Sequence, residues 1–293
     1  MLFYDLKLKS FPKIRYNISV TGEKYRARPK KDDSLFELCY VERGELIVSD
    51  AQGVRAFETG HLYPLFFDGD CEMFPENDKP VKLMSVCVEA DLDRVPFDSE
   101  SLSESETQAL MKNMLDGDRF LISAEGLSSL QFDWLSEYMR KILACNSGER
   151  IGEETHAVSL LLEFLSRITK SSMNMIAHDA RALPTSSVAY SEMVVSYIMK
   201  NYKKKINVAD LAERLELSPN YLHAIFKQVK GTTIIDYLTS YRMKLARVYI
   251  ERFGLRVALA AEMVGIDDPA YFSRLFKKTF GVSVNELKKG KTV

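Results

Sequence analysis

Two sets of side chains, fifty residues apart, have the types and spacing needed to read base edges in nucleic acid. Asn220, His223, Ala224 and Lys227 fall on one face of a helix written NYLHAIFKQV, and Ala270, Ser273, Arg274 and Lys277 fall on the same face of AYFSRLFKKTF. An α-helix fits the major groove of B-DNA, where Asn can pair with adenine N6 and N7, Arg with guanine O6 and N7, and Ala can touch a thymine methyl. Lys227, Lys230, Lys277 and Lys278 lie toward the helix ends, where ammonium groups suit phosphates that supply affinity and orientation without sequence information. The opposite positions are apolar: Leu222, Ile225, Phe226 and Val229 in the first helix, Phe272, Leu275, Phe276 and Phe280 in the second, so those faces must pack inward. Covalent or metal chemistry has no comparable set. The histidines at positions 61, 156, 178 and 223 lack partners at useful spacing, so no catalytic residue, metal ligand or cofactor is expected.

The elements that must carry those faces are written twice. Tyr221 pairs with Tyr271, Phe226-Lys227 with Phe276-Lys277 and Gly231 with Gly281 at an offset of 50, while Ala212-Glu213 pairs with Ala261-Glu262 and Leu217 with Ile266 at 49. One unit therefore has an extra residue in its turn. Asn207 can cap a first helix, VADLAERL, with Asp210 three residues on. Ser218-Pro219 and Asp268-Pro269 each supply a side-chain oxygen for free helix N–H groups, then a proline at the first helical position, where a missing N–H costs nothing. The pattern predicts a helix-turn-helix, present twice. Between the units, IIDYLTSYRMKLARVYIERFG reads as one helix with Tyr237, Tyr241, Leu245 and Val248 at helical spacing, about 25 Å long at 1.5 Å per residue. A spacer of that length could hold two recognition helices in successive grooves on one side of a duplex.

Charge divides the chain in the same way. From Ser186 onward there are 18 Lys and Arg against 10 Asp and Glu; the preceding 185 residues hold 22 against 31. A basic module carried by an acidic one assigns polyanion binding to the C-terminal part. With 46% hydrophobic and 28% charged residues over 293, the chain can build packed cores, and it has no apolar run long enough to span a bilayer. Its start, MLFYDLKLKS, lacks the features of a secretory signal, so a cytoplasmic location is expected. Cys39, Cys71, Cys87 and Cys145 are widely separated and read as buried thiols. From Ile14 to Glu89, β-rich runs (IRYNISV, LFELCYV, ELIVS, VKLMSVCVE) alternate with turn signals, including Asp50-Ala51-Gln52-Gly53 and Asp68-Gly69-Asp70, and predict an all-β barrel or sandwich. Several runs are apolar on both parities, so the inward face stays open. Past Ser101, Phe132, Leu135, Met139 and Ile142 draw one amphipathic stripe, and Val158, Leu161, Leu165 and Ile168 draw another. Two such helices can form a hairpin on the barrel or meet the same stripe in a second subunit. Ala177 to Ser187, AHDARALPTSS, reads as a linker.

SPNYLHAIFKQVKGTTIIDYLTSYRMKLA followed by AAEMVGIDDPAYFSRLFKKTFGVS resembles the C-terminal DNA-binding domain of the AraC/XylS family of transcription regulators, over roughly Val188 to Lys288. The resemblance places the family's base-contacting positions on Asn220, His223, Ala224, Ala270, Ser273 and Arg274. The chain departs from the family pattern at Leu259-Ala260, where an acidic residue and an Ile are usual, at Val284, usually Pro, and at Leu287-Lys288, usually Tyr-Arg. LFELCYVERGELIV followed by FETGHLYPLFF is similar to the cupin-like sensory barrel of many members. His61 alone, without an H-x-H pair, implies no metal there. The resemblance thus implies an α+β multidomain chain: a cupin-like barrel at 1–100, a helical dimerisation or packing region at 101–176, a linker at 177–187 and an all-α double helix-turn-helix domain at 188–293. It implies a sequence-specific regulator and no enzyme, most readily an activator, with double-stranded promoter DNA, RNA polymerase, a small-molecule effector and a second copy of the chain as partners. Arg28, Tyr40 and Glu72 are candidates for the effector's polar contacts. A protein partner acting on the barrel in place of a metabolite, or a cupin-type enzyme with a DNA-binding appendage, are the alternative readings.

Overall fold

A computed structural model describes the chain apart from residues 1, 23–30, 51–52, 68–70, 77–78, 115–117, 130–131, 146–151, 182–186 and 290–293, with backbone alone at 177–181 and 288–289. It divides into two compact units, Met1–Pro184 and Thr185–Val293. The described strands are β1 (Leu2–Leu8), β2 (Lys13–Gly22), β3 (Asp32–Arg43), β4 (Glu45–Asp50), β5 (Gly53–Glu58), β6 (His61–Phe67), β7 (Glu72–Pro75), β8 (Val81–Glu89), β9 (Leu92–Asp98), β10 (Arg119–Ser123) and β11 (Leu127–Ser128). Helices α1 (Glu104–Asn113), α2 (Trp134–Ala144) and α3 (Glu153–Arg181) complete the first unit. The second unit is all helix: α4 (Ser187–Asn201), α5 (Val208–Arg214), α6 (Pro219–Lys230), α7 (Ile234–Glu251), α8 (Val257–Met263), α9 (Pro269–Phe280) and α10 (Val284–Lys289).

The strands form three antiparallel sheets in the orders β10-β1-β9, β11-β6-β3-β8-β2 and β5-β4-β7. Among the described residues none of these sheets closes on itself, so a closed cupin-like barrel is not seen there. Strands β3, β6 and β8 of the five-stranded sheet are buried on both faces, which explains why they read as apolar on both parities, whereas edge strand β2 is exposed along most of its length. On one face, Phe36, Leu38 and Tyr40 of β3 and Met84, Val86 and Val88 of β8 pack with Leu135, Met139 and Ile142 of α2 and with Leu161, Leu165 and Ile168 of α3. Both amphipathic stripes are therefore consumed inside the unit, with Phe132 packed on them just before α2, and neither is free to meet a second subunit. Asn17 Nδ2 donates to the Ile142 carbonyl at 2.8 Å, fixing the end of α2 to β2.

Several boundaries differ from the sequence reading. Strands β10 and β11 lie inside the stretch read as helical, because β10 completes a sheet with β1 at the other end of the unit. Such pairing leaves no local signal. Helix α1 is closed by a capping box between Ser103 and Glu106. Helix α3 continues to Arg181, so the first half of the expected linker is helical; its Ala, His, Asp and Arg residues are compatible with helix, and the helix-breaking proline of this stretch comes only at Pro184. The Asp50-Gly53 turn joins β4 to β5, with Asp50 opposite Gly53, although Ala51-Gln52 lie outside the described residues, as do Asp68-Gly69-Asp70 and Arg28. All four cysteines are free thiols, three of them buried.

The other face of the five-stranded sheet holds a buried polar cluster. Glu37 of β3 is 2% exposed; it accepts hydrogen bonds from Ser85 Oγ and, at 3.1 Å, from Tyr16 OH, with Cys39 Sγ 3.7 Å from Ser85 Oγ. Burial pushes the Glu37 carboxyl up to about 7, against the smaller opposing effect of its hydrogen bonds from Tyr16 and Cys39. A carboxyl raised in this way holds its proton in the folded state up to near neutrality, whereas the unfolded chain releases it near the ordinary 4.5. Its contribution to stability is thus complete below the unfolded value and declines as pH rises toward 7. Glu37→Gln is expected to abolish that decline and to leave the chain more stable than the parent at pH 8, by at most about 3 kcal/mol. Denaturant unfolding at pH 5 and pH 8 checks this; superimposable pH profiles for parent and variant would contradict it.

Candidate nucleic-acid interface

The duplication read from the sequence holds at the level of single hydrogen bonds. Helices α5 and α8 both span seven residues at an offset of 49, and α6 and α9 both span twelve at 50. In the first turn, Glu216 N–H donates to the Glu213 carbonyl and Leu217 N–H to the Ala212 carbonyl, each at 2.9 Å; Gly265 and Ile266 repeat both bonds at 2.9 Å to Glu262 and Ala261. The residue in the left-handed region is Glu216 (φ 52°) in one unit and Gly265 (φ 74°) in the other. The extra residue of the second unit is Asp267, placed between Ile266 and the cap.

Each recognition helix is started and stopped by the same chemistry. Ser218 Oγ accepts from Tyr221 N–H at 3.3 Å, and Asp268 Oδ1 accepts from Ala270 and Tyr271 N–H at 2.8 and 3.1 Å. Gly231 and Gly281, both left-handed, close the helices through N–H bonds to the Lys227 and Lys277 carbonyls. Leu222, Ile225 and Phe226 are buried in α6, as are Phe272 and Phe276 in α9. The remaining face is the one deduced from periodicity. Asn220, Ala224 and Lys227 are exposed and His223 is half-buried; Ala270, Ser273, Arg274, Lys277 and Lys278 are all exposed. Ser273 Oγ donates to the Pro269 carbonyl at 2.8 Å, which leaves its oxygen to act toward a ligand chiefly as an acceptor.

Lys230 is a correction. Its ammonium is 2.8 Å from Glu192 Oε1 of α4, and the two side chains are only 7% and 10% exposed. It therefore fastens α6 to α4 and cannot serve a phosphate. The sequence shows a basic residue at a helix end, but the acid that claims it is 38 positions away. Sequence reasoning also passed over Tyr221 and Tyr271 as surface residues; they are 52% and 49% exposed in the first turn of each recognition helix, and their pairing in the repeat was the available signal. At the departures from the family pattern, Ala260 is fully buried, Leu259 is 44% exposed, and Val284 is buried at the start of α10 behind a Ser283–Glu286 capping pair. In the N-terminal unit Tyr40 is in the apolar layer beneath α2 and α3, and Glu72 opens β7 in a different sheet. His61 is buried, and its Nδ1–H donates to the Glu58 carbonyl at 3.1 Å.

The family model described as "Helix-turn-helix domain" matches residues 211–290, from α5 into the end of the chain. The helix-turn-helix domain of the C-terminal unit is of the AraC type. Two curated relatives are similar to part of the chain. The uncharacterized HTH-type transcriptional regulator YisR of Bacillus subtilis is 31% identical over 111 residues, 38% of this chain and 39% of that protein. The arabinose operon regulatory protein of Salmonella typhimurium is 27% identical over 158 residues, 53% of each chain. The chain thus spans from two fifths to half the length of these relatives. Among solved structures, the C-terminal domain of AraT, a response regulator from Geobacillus stearothermophilus, is 33% identical and covers 36% of this chain and 87% of that one, with a TM-score of 0.34. Among the described residues no helix is long and apolar enough to cross a membrane.

The left-handed glycines of the repeat differ in what they tolerate. A Cβ on Gly265 would overlap the backbone carbonyl of Lys203, whereas Gly231 and Gly281 face open space. Gly265→Ala is expected to cost about 2–4 kcal/mol, from the left-handed backbone together with a clash that no side chain can relieve. Gly231→Ala and Gly281→Ala should each cost about 1 kcal/mol, from the backbone conformation alone. Calorimetric unfolding of the full chain measures all three, and equal losses would refute the close approach at Gly265.

Proposed function

We propose that the chain is a sequence-specific DNA-binding transcription regulator. The observation that carries the proposal is the pair of twelve-residue helices, capped alike, repeated at an interval of 50 residues and each presenting a polar or small face beside a buried apolar one. In this reading α6 and α9 enter neighbouring major grooves of double-stranded promoter DNA. Asn220, His223 and Ala224 face bases in one groove, Ala270, Ser273 and Arg274 face bases in the other, and Lys227, Lys277 and Lys278 reach flanking phosphates. The excess of basic residues after Ser186 supports the assignment, since phosphate neutralisation supplies most of the sequence-independent affinity.

The N-terminal unit is then the regulatory part, a cupin-like assembly of sheets that binds a small-molecule effector and alters how the recognition helices are presented, most simply for activation through RNA polymerase. Homodimerisation would use a surface other than the stripes of α2 and α3, which are buried within the unit. The regulator carries out no catalysis of its own and works by shifting the promoter-bound population.

Selection of binding sites from a random duplex pool with the purified chain tests the proposal. A recovered motif in two parts is expected. Arg274→Ala should relax discrimination at one or two positions of that motif by about 1–3 kcal/mol, while Lys227→Ala should weaken all duplexes alike and reduce the salt slope by about 1. Recovery of no motif, or retention of full discrimination by Arg274→Ala, would overturn the assignment.

A further inference from the structure

The loop leaving α4 carries three consecutive lysines, Lys203, Lys204 and Lys205, all exposed. Adjacent ammonium groups repel one another, and an unconstrained loop would spread them through solvent. Here the backbone beneath them is held at several points. Arg242, midway along α7, donates from Nε to the Tyr202 carbonyl and from Nη2 to the Lys204 carbonyl, both at 2.7 Å. Lys204 N–H donates to the Asn201 carbonyl at 2.8 Å, and Tyr202 packs edge-on against Tyr241 with ring centroids 5.5 Å apart. The Lys203 carbonyl lies directly against Gly265 in the turn between α8 and α9. Among the described residues no ion pair engages Lys204 or Lys205.

This clamp puts the lysines beside the second recognition helix. Gly265 precedes the first residue of α9 by four positions, and Tyr271 in its first turn, with Asp267, acts electrostatically on the Arg242 guanidinium. Asp267 is the one residue by which the second turn exceeds the first. Ammonium groups fixed beside a groove-entering helix suit phosphate oxygens, which are bound without reference to sequence. From this arrangement we infer that Lys203, Lys204 and Lys205 form a further contact with duplex DNA, on the phosphates bordering the groove that α9 enters. The inference rests on the DNA-binding reading above and adds a site outside both helix-turn-helix motifs.

The test uses the full chain and a long mixed-sequence duplex, with affinity followed across a salt titration. K203Q/K204Q/K205Q is expected to bind more weakly at every salt concentration, with a log–log salt slope shallower than the parent's by about 0.9 for each phosphate no longer neutralised. K203R/K204R/K205R should restore the parent slope, and unchanged unfolding temperatures would place the effect in binding. The ratio of affinities for a selected motif and the mixed-sequence duplex should stay as in the parent. A triple Gln variant with the parent's slope would overturn this contact while leaving the DNA-binding reading in place. A parent chain that binds no duplex at low salt would overturn both.

Discussion

Helix α7 holds nine buried residues in eighteen, distributed around most of its circumference: Ile234, Leu238, Tyr241, Leu245 and Val248 on one row, Met243, Ala246, Tyr249 and Ile250 on others. A helix buried on so many sides cannot roll or slide without exposing several large side chains, at about 1.5–3 kcal/mol each. Both recognition helices lean on it. Phe226 of α6 meets Tyr237 edge-on with centroids 5.7 Å apart, and the guanidinium of Arg247 lies 5.1 Å from the ring of Phe280 of α9. Those anchor points are ten residues apart, roughly 15 Å along the axis. A single base contact is worth about 1–3 kcal/mol, less than the cost of moving the scaffold, so in the proposed reading the spacing of α6 and α9 is set by the protein before any duplex arrives.

The two copies of the motif share geometry and differ in how they are fastened. At the end of α6, Lys230 is buried against Glu192 of α4; at the equivalent place in α9, Phe280 packs under Arg247. A buried ion pair is not an efficient source of stability, because desolvation consumes most of the attraction, but removal of one partner leaves the other's buried charge without its counter-ion. It therefore sets where α4 can lie. The second motif is fastened through its turn instead, by the contact of Gly265 with the Lys203 carbonyl and by Arg242 bridging the same loop to α7. The invariant parts of the repeat are those that shape a recognition helix, and the divergent parts are those that attach each copy to a different neighbour.

That division also decides how much was legible in the sequence. Caps, turn residues and helical periods are local, and they located α5 to α9, the outward faces of α6 and α9 and the exposed lysines at 227, 277 and 278 from the residues alone. Features that depend on a distant partner were not visible. Lys230 looked like its neighbours until Glu192 claimed it, β1 and β10 required a pairing across more than a hundred residues, and the carboxyl of Glu37 could not be distinguished from surface glutamates in strands that are apolar on both parities. The helical stripes of α2 and α3 were legible as stripes, but their target, the five-stranded sheet, was not.

The central claim is that one chain reads one duplex with two helices at a fixed separation. Guanine N7 protection, mapped on both strands of a selected duplex with the full chain bound, addresses it most directly. The account predicts two protected major-groove segments on the same face of the DNA, separated by about one helical turn for each chain bound. A single protected segment per chain, or two on opposite faces, would contradict it.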